Sequence, residues 1–174
     1  MSATTDAQSE GLIQVVGRGA GYLFAAHRNV LIASWTAQGT APLIEALAEA
    51  LGTFAAQHSE GISNVHIIAA GLPLANSEAR TALSALMKKH DAALACVGTV
   101  LDGSGFWASA TRSLIVSLQM LTPSTFAIRT CAADAELTAW LQKPHAQRTG
   151  VELDAPALER AMAEARALSH GRSL

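Results

Sequence analysis

The stretch Val65-His66-Ile67-Ile68-Ala69-Ala70-Gly71 decides how the chain is read. It is apolar at almost every position, as a strand buried on both faces must be. A helical pattern follows it, then a second apolar run, Ala93-Leu94-Ala95-Cys96-Val97-Gly98. Another helical pattern leads to a third run at Phe126-Ala127-Ile128, and a further helix comes after that. Parallel strands need helical crossovers of this kind, so the chain reads as α/β.

Upstream of Val65 the pattern differs. A strand-like stretch over 12–16 is interrupted by Gly17-Arg18-Gly19-Ala20-Gly21, as a turn or bulge would interrupt it. Tyr22-Leu23-Phe24, a turn at His27-Arg28-Asn29 and a strand over 30–36 follow closely enough to pair as antiparallel hairpins. Thr40 is a good N-cap, with Pro42 in the first turn and Leu43, Ile44, Leu47, Leu51 and Phe54 forming one helical stripe. The next helix is expected to start near Asn76 or Ser77 and to turn Leu83, Leu86 and Met87 inward.

After the second run, Asp102-Gly103-Ser104-Gly105 precedes a helix whose expected inner stripe is Phe106, Ala110, Leu114, Leu118 and Leu121, ended by Pro123. Leu137, Trp140 and Leu141 form the inner face of a short helix that Lys143-Pro144 is expected to break. Asp154 and Pro156 open a final helix, with a thin stripe of Leu158, Met162, Ala165 and Leu168. The expected organisation is a flexible lead-in over 1–10, an α/β domain over 11–142, and a linker with a C-terminal helix over 143–174. About five strands are expected in its mixed sheet, antiparallel at the start.

The 174 residues suffice for one domain with a real core. Half of them (50%) are hydrophobic and 15% are charged, which argues for a compact fold over disorder. A net charge of −2 supplies no basic field for a phosphate backbone, so nucleic acid is not an expected partner. The polar start is unlike a secretory signal, and no apolar segment approaches the roughly 20 residues that span a bilayer. Cys96 and Cys131 form no CxxC pair, which fits a reduced, cytoplasmic protein.

No motif of high specificity for catalysis, a cofactor or a metal is present. His27, His58, His66, His90, His145 and His170 are scattered, and no two have helical ligand spacing. His66, on a buried strand, reads either as a satisfied core histidine or as a group pointing into a cleft. Cys96 and Cys131 should sit on or just after neighbouring strands as small buried hydrophobes.

The candidates that remain lie at helix starts. Asn76 and Ser77 are N-cap residues, or a place where an added phosphate would meet free backbone N–H groups. Gly103 and Ser104 belong to a tight turn, or to an anion cradle that lacks the Gly-Lys-Ser/Thr ending of a P-loop. Trp107 and Arg112 read as a rim of the core or as a partner surface, since Trp and Arg carry much of the energy at interfaces.

The order β-β-α-β-α-β-α resembles the STAS and anti-sigma-factor-antagonist-like superfamily, on residues 30–36 with the helix from Thr40, residues 65–71 leading through Leu72-Pro73-Leu74-Ala75-Asn76-Ser77-Glu78, and residues 94–100. The resemblance covers roughly 12–142 and rests on element order. It implies a loop whose hydroxyl is phosphorylated by a partner kinase at a helix start, here Ser77. The family's acidic residue and glycine are absent at this place, and Glu78 would repel an added phosphate. It implies a protein partner such as a kinase or an anti-sigma-like regulator. A related branch of the fold would bind a hydrophobic ligand instead.

The first expectation is therefore a non-enzymatic cytoplasmic regulatory module that binds another protein through Asn76, Ser77, Gly103, Ser104, Trp107 and Arg112. The alternative is a small-molecule or lipid-binding domain, marked by an apolar pocket between the sheet and the helices beginning at Thr40 and Phe106. A small enzyme using Ser104, His66 or a cysteine ranks last. The early edge strands or the final helix could carry a homodimer contact.

Overall fold

Successive parallel strands that step in one direction across a sheet place all their right-handed crossover helices on the same face. The computed structural model, which describes residues 12–121 and 124–171, is built this way. Its elements are β1 (Gln14–Gly19), β2 (Tyr22–His27), β3 (Val30–Trp35), α1 (Ala41–Ala56), β4 (Ile62–Ile68), α2 (Ser77–Lys89), β5 (Leu94–Leu101), α3 (Gly105–Leu121), β6 (Ala127–Cys131), α4 (Asp134–Thr149) and α5 (Ala155–Ser169). They form one six-stranded mixed sheet in sequential order, one strand more than the apolar runs suggested. The expected lead-in and the stop at Pro123 lie outside the described residues, as do the side chains of Leu118 and Leu121.

The first three strands are antiparallel, with a register shift between Val15 and Gly17 where the glycine-rich interruption falls. From β3 onward every pairing is parallel. Strand parity sorts the side chains into two cores. Phe24, Leu31, Trp35, Ile62 and Val97 pack under α1 and α2 against Ile44, Leu47, Leu51 and Leu86. Leu23, Ile32, Val65, Ile67, Cys96 and Val100 point the other way and are covered by Leu137 and Leu141 of α4 and Leu158 and Met162 of α5.

The C-terminal helices are thus the second layer of the fold. Leu158, Ala161, Met162 and Ala165 are all fully buried, so the thin stripe of α5 docks on the body. The break expected at Lys143-Pro144 does not occur: α4 runs through Pro144 and ends at Gly150, which takes a positive φ of 71°. Proline lowers helix stability, but Leu141, His145 and Thr149 are buried on either side of it, and their packing outweighs local propensity.

Gly98 is what lets α4 lie so close. A Cβ there would come within 2.5 Å of Leu137 Cδ1. Under α4 the chain also carries a closed polar relay: Cys96 Sγ lies 3.1 Å from Ser63 Oγ, which lies 2.6 Å from His145 Nδ1. His145 Nε2 meets Asn29 Oδ1 at 3.0 Å, and Asn29 Nδ2 donates to Gly61 O at 3.1 Å. Each member satisfies the next, as buried polar groups must.

Candidate functional site

In an open α/β sheet the loops at the carboxyl ends of parallel strands gather on one edge. The residues after β4 and those after β5 meet there, as the sequence implied. Trp107 Nε1 donates a 2.6 Å hydrogen bond to Leu72 O, and a Cβ on Gly103 would approach Ala70 Cβ to 3.0 Å. Asn76 caps α2, its side chain accepting from Ala79 N at 2.8 Å, and Ser77 follows as an exposed residue in the first turn. Gly103, Ser104 and Arg112 are exposed as well.

Trp107 sits at the rim of the core, one of its two expected readings. It is half-buried, and its indole N–H is committed to the loop after β4. The inner stripe of α3 is rotated from the expected one. Phe106 is 90% exposed, while Ala108 and Thr111 are buried. The turn that delivers α3 fixes this phase, with Gly103 at φ 151° and Gly105 at φ 76°, a backbone that favours glycine at both places.

Between α2 and α3, over the face of β4, β5 and β6, the structure leaves an apolar cleft of about 180 Å³. Its floor comes from Trp35, His66, Ile68, Val97, Thr99 and Ile128. Leu83 and Met87 of α2 form one wall and Trp107, Thr111, Leu114 and Ile115 of α3 the other, with Ile44 of α1 at the side. The loop residues Leu72, Pro73, Leu74 and Ala75 make the rim, so the Trp107–Leu72 bond ties wall to rim.

His66 points into this cleft while being satisfied on one side. Trp35 Nε1 donates to His66 Nδ1 at 3.0 Å, and the two rings lie nearly parallel, 11° apart, with centroids separated by 6.1 Å. Burial pushes the imidazole pKa down to about 4, so the ring is neutral at physiological pH. With Nδ1 accepting, the proton of the neutral ring sits on Nε2. Thr99 pairs directly with His66 across β4 and β5 and shares its face. Thr111 is 6% exposed, and its hydroxyl is buried without a hydrogen-bond partner.

Thr99, Thr111 and Trp35 were not foreseen. The available signal was a polar residue inside a largely apolar strand, His66 in β4 and Thr99 in β5. Their common face appears only once the register is known.

Cys96 and Cys131 are free, buried and on neighbouring strands, as expected. Burial pushes the Cys96 thiol up to about 11, the opposite of what a nucleophile needs. Among the described residues no group of three or more His, Cys, Asp or Glu side chains could hold a metal ion, and no helix is long and apolar enough to cross a membrane.

Comparison of the chain with protein-family models, with curated proteins and with solved structures finds no match.

Proposed function

We propose that this protein is a small-molecule-binding domain whose ligand is a compact apolar molecule seated between α2 and α3. The cleft carries this reading. Ligand sites are concave, mainly apolar and provided with a few placed polar groups, and this one has His66, Ser84, Thr99, Thr111 and Ser124 in a mainly hydrophobic lining. Its 180 Å³ is comparable with the roughly 150 Å³ apolar cavity that accepts benzene, so a ring or a short chain fits within it. A binding role also suits a fold in which burial pushes both cysteine thiols up and the Ser63–His145 pair is sealed beneath α4, on the face away from the cleft.

A regulatory role in the cytoplasm, reading the bound state out to a protein partner, is the second reading. One observation favours it: the rim loop runs directly into Asn76 and exposed Ser77, so occupancy of the cleft and the state of that helix start share one segment. The STAS-like order of elements supports the same reading, with a kinase or an anti-sigma-like regulator as the class of partner.

Native mass spectrometry of the protein purified under mild conditions tests the first reading. A co-purifying apolar adduct that is lost in a Leu83→Trp variant filling the cleft is the expected result. No adduct, together with no change in melting temperature on adding small aromatic probes, would overturn it.

A further inference from the structure

The polar groups of the cleft specify one end of the ligand. His66 Nδ1 is occupied by the Trp35 indole, which leaves Nε2–H as the donor of the neutral ring, and Nε2 meets no hydrogen-bond partner among the described residues. The Thr111 hydroxyl is buried and unpartnered in the opposite wall. Buried hydroxyls almost always find a partner, because burial without one forfeits the bond to water. Two spare donors facing an apolar cleft from its floor and its wall are therefore complementary to an acceptor that the protein itself does not supply.

Charge narrows the class. Among the described residues no lysine or arginine lines the cleft, and desolvating an anion without a counter-charge is costly. The neutrality of the His66 ring points the same way. We propose, resting on the ligand-binding reading above, that the cleft selects an uncharged molecule whose apolar body carries a single carbonyl oxygen, received by His66 Nε2–H and the Thr111 hydroxyl. A site that offers hydrogen bonds discriminates strongly against analogues that lack the matching group, since its own polar atoms are then left unpaired.

Three probes of nearly equal size separate the possibilities. Acetophenone carries the carbonyl, α-methylstyrene replaces its oxygen with a methylene group, and benzoate replaces the neutral acceptor with a charged one. Each is titrated into the full chain and followed by amide chemical shifts, with wild type, Thr111→Val and His66→Phe compared. Acetophenone should bind wild type about five- to tenfold more tightly than α-methylstyrene, as one hydrogen bond of ordinary strength implies. Benzoate should be the weakest.

The acetophenone advantage should shrink to about twofold or less in at least one variant, while retained α-methylstyrene binding shows that the variant is folded. Equal affinities for acetophenone and α-methylstyrene in wild type, an advantage unchanged in both variants, or benzoate binding most tightly would each overturn the carbonyl assignment and leave the apolar cleft standing as a ligand site. Failure of all three probes to bind would overturn the cleft reading together with it.

Discussion

Trp107 and Leu72 are joined by a hydrogen bond of 2.6 Å from the indole N–H to the backbone carbonyl, across 35 positions of sequence. It links the first turn of α3 to the loop after β4, the two segments that frame the mouth of the cleft. The indole also packs against Gly103, where a Cβ would lie 3.3 Å from the ring. One side chain thereby sets the seating of α3 and the position of the rim.

Replacing Trp107 with phenylalanine keeps an aromatic ring in place and removes the donor. The expected cost is about 0.5–1.5 kcal/mol for the bond, with some loss of packing added. Amides over 72–76 should exchange with solvent faster, while those of β3 and β4 keep their protection. Uniform acceleration across the sheet would show that the strap supports the whole fold rather than the mouth.

Stability should fall as the solution is acidified through the histidine range. His66 and His145 both have pKa values pushed down by burial to about 4, against 6.5 in the unfolded chain. For His145 a nearby Arg28 adds to the depression and Glu60 opposes it. Between these values the unfolded chain binds protons that the folded chain does not. The stability conferred by neutral burial is thus complete above about pH 6.5 and lost progressively down to about pH 4, by on the order of 3 kcal/mol per histidine. Asp91 and Glu136, held below the usual carboxylate range chiefly by hydrogen bonds from the backbone at Thr125 and Ala132, lose their contributions at lower pH. Urea denaturation at a series of pH values measures the slope, and a His66→Phe, His145→Gln double variant should flatten it between pH 4 and 6.5. An unaltered slope would mean that other groups bind those protons.

A methyl group at position 98 should be expensive. Gly98 lies on β5 under Leu137, and the 2.5 Å separation of a hypothetical Cβ from Leu137 Cδ1 leaves no room for it. Leu137 is fully buried, so it cannot swing into solvent. Gly98→Ala should destabilise by about 1–3 kcal/mol through overpacking, and a Gly98→Ala, Leu137→Val double variant should recover part of the loss. Strict additivity of the two changes would show that they do not act on one contact.

How far the sequence could be read follows from where its signals are local. The runs around Val65 and Leu94 are buried on both faces, so they are apolar at nearly every position and unmistakable. The gathering of Asn76, Ser77, Gly103 and Trp107 at one edge follows from parallel topology alone. The phase of α3 is another matter. Phe106, Leu114, Ile115 and Val116 spread apolar residues around the helix, and the choice between stripes is made by the Gly103–Gly105 turn and the Trp107 bond to Leu72. Proline 144 misled for a similar reason, because the contacts of Leu141 and His145 that carry the helix past it come from distant strands. The cleft required register, helix phase and loop position together. No window of sequence around His66 contains Thr111.

Arg166 offers a test of how the two layers are coupled. Its guanidinium makes paired hydrogen bonds of 2.8 and 3.1 Å to Asp102, and of 2.9 and 2.8 Å to Asp134. α5 is thereby fastened to the first turn of α4 and to the residue that opens the Asp102–Gly105 turn feeding α3. Arginine can hold two carboxylates in this forked way, whereas the lysine ammonium acts as a point charge. The side chains of Arg166 and Asp102 retain about a quarter of their exposure, at 24% and 28%, so solvent screening reduces what each pair contributes. Arg166→Lys should cost about 1–2 kcal/mol, and Arg166→Met somewhat more, since it leaves two carboxylates without a counter-ion. In a double-mutant cycle with Asp102→Asn the two changes should couple by about 1 kcal/mol, less at high salt. Because Asp102 begins the turn that delivers Trp107 and Thr111, Arg166→Lys should also perturb the amide shifts of α3 on the opposite face of the sheet. Perturbation confined to α4 and α5 would mean that the second layer stabilises the fold without reaching the cleft.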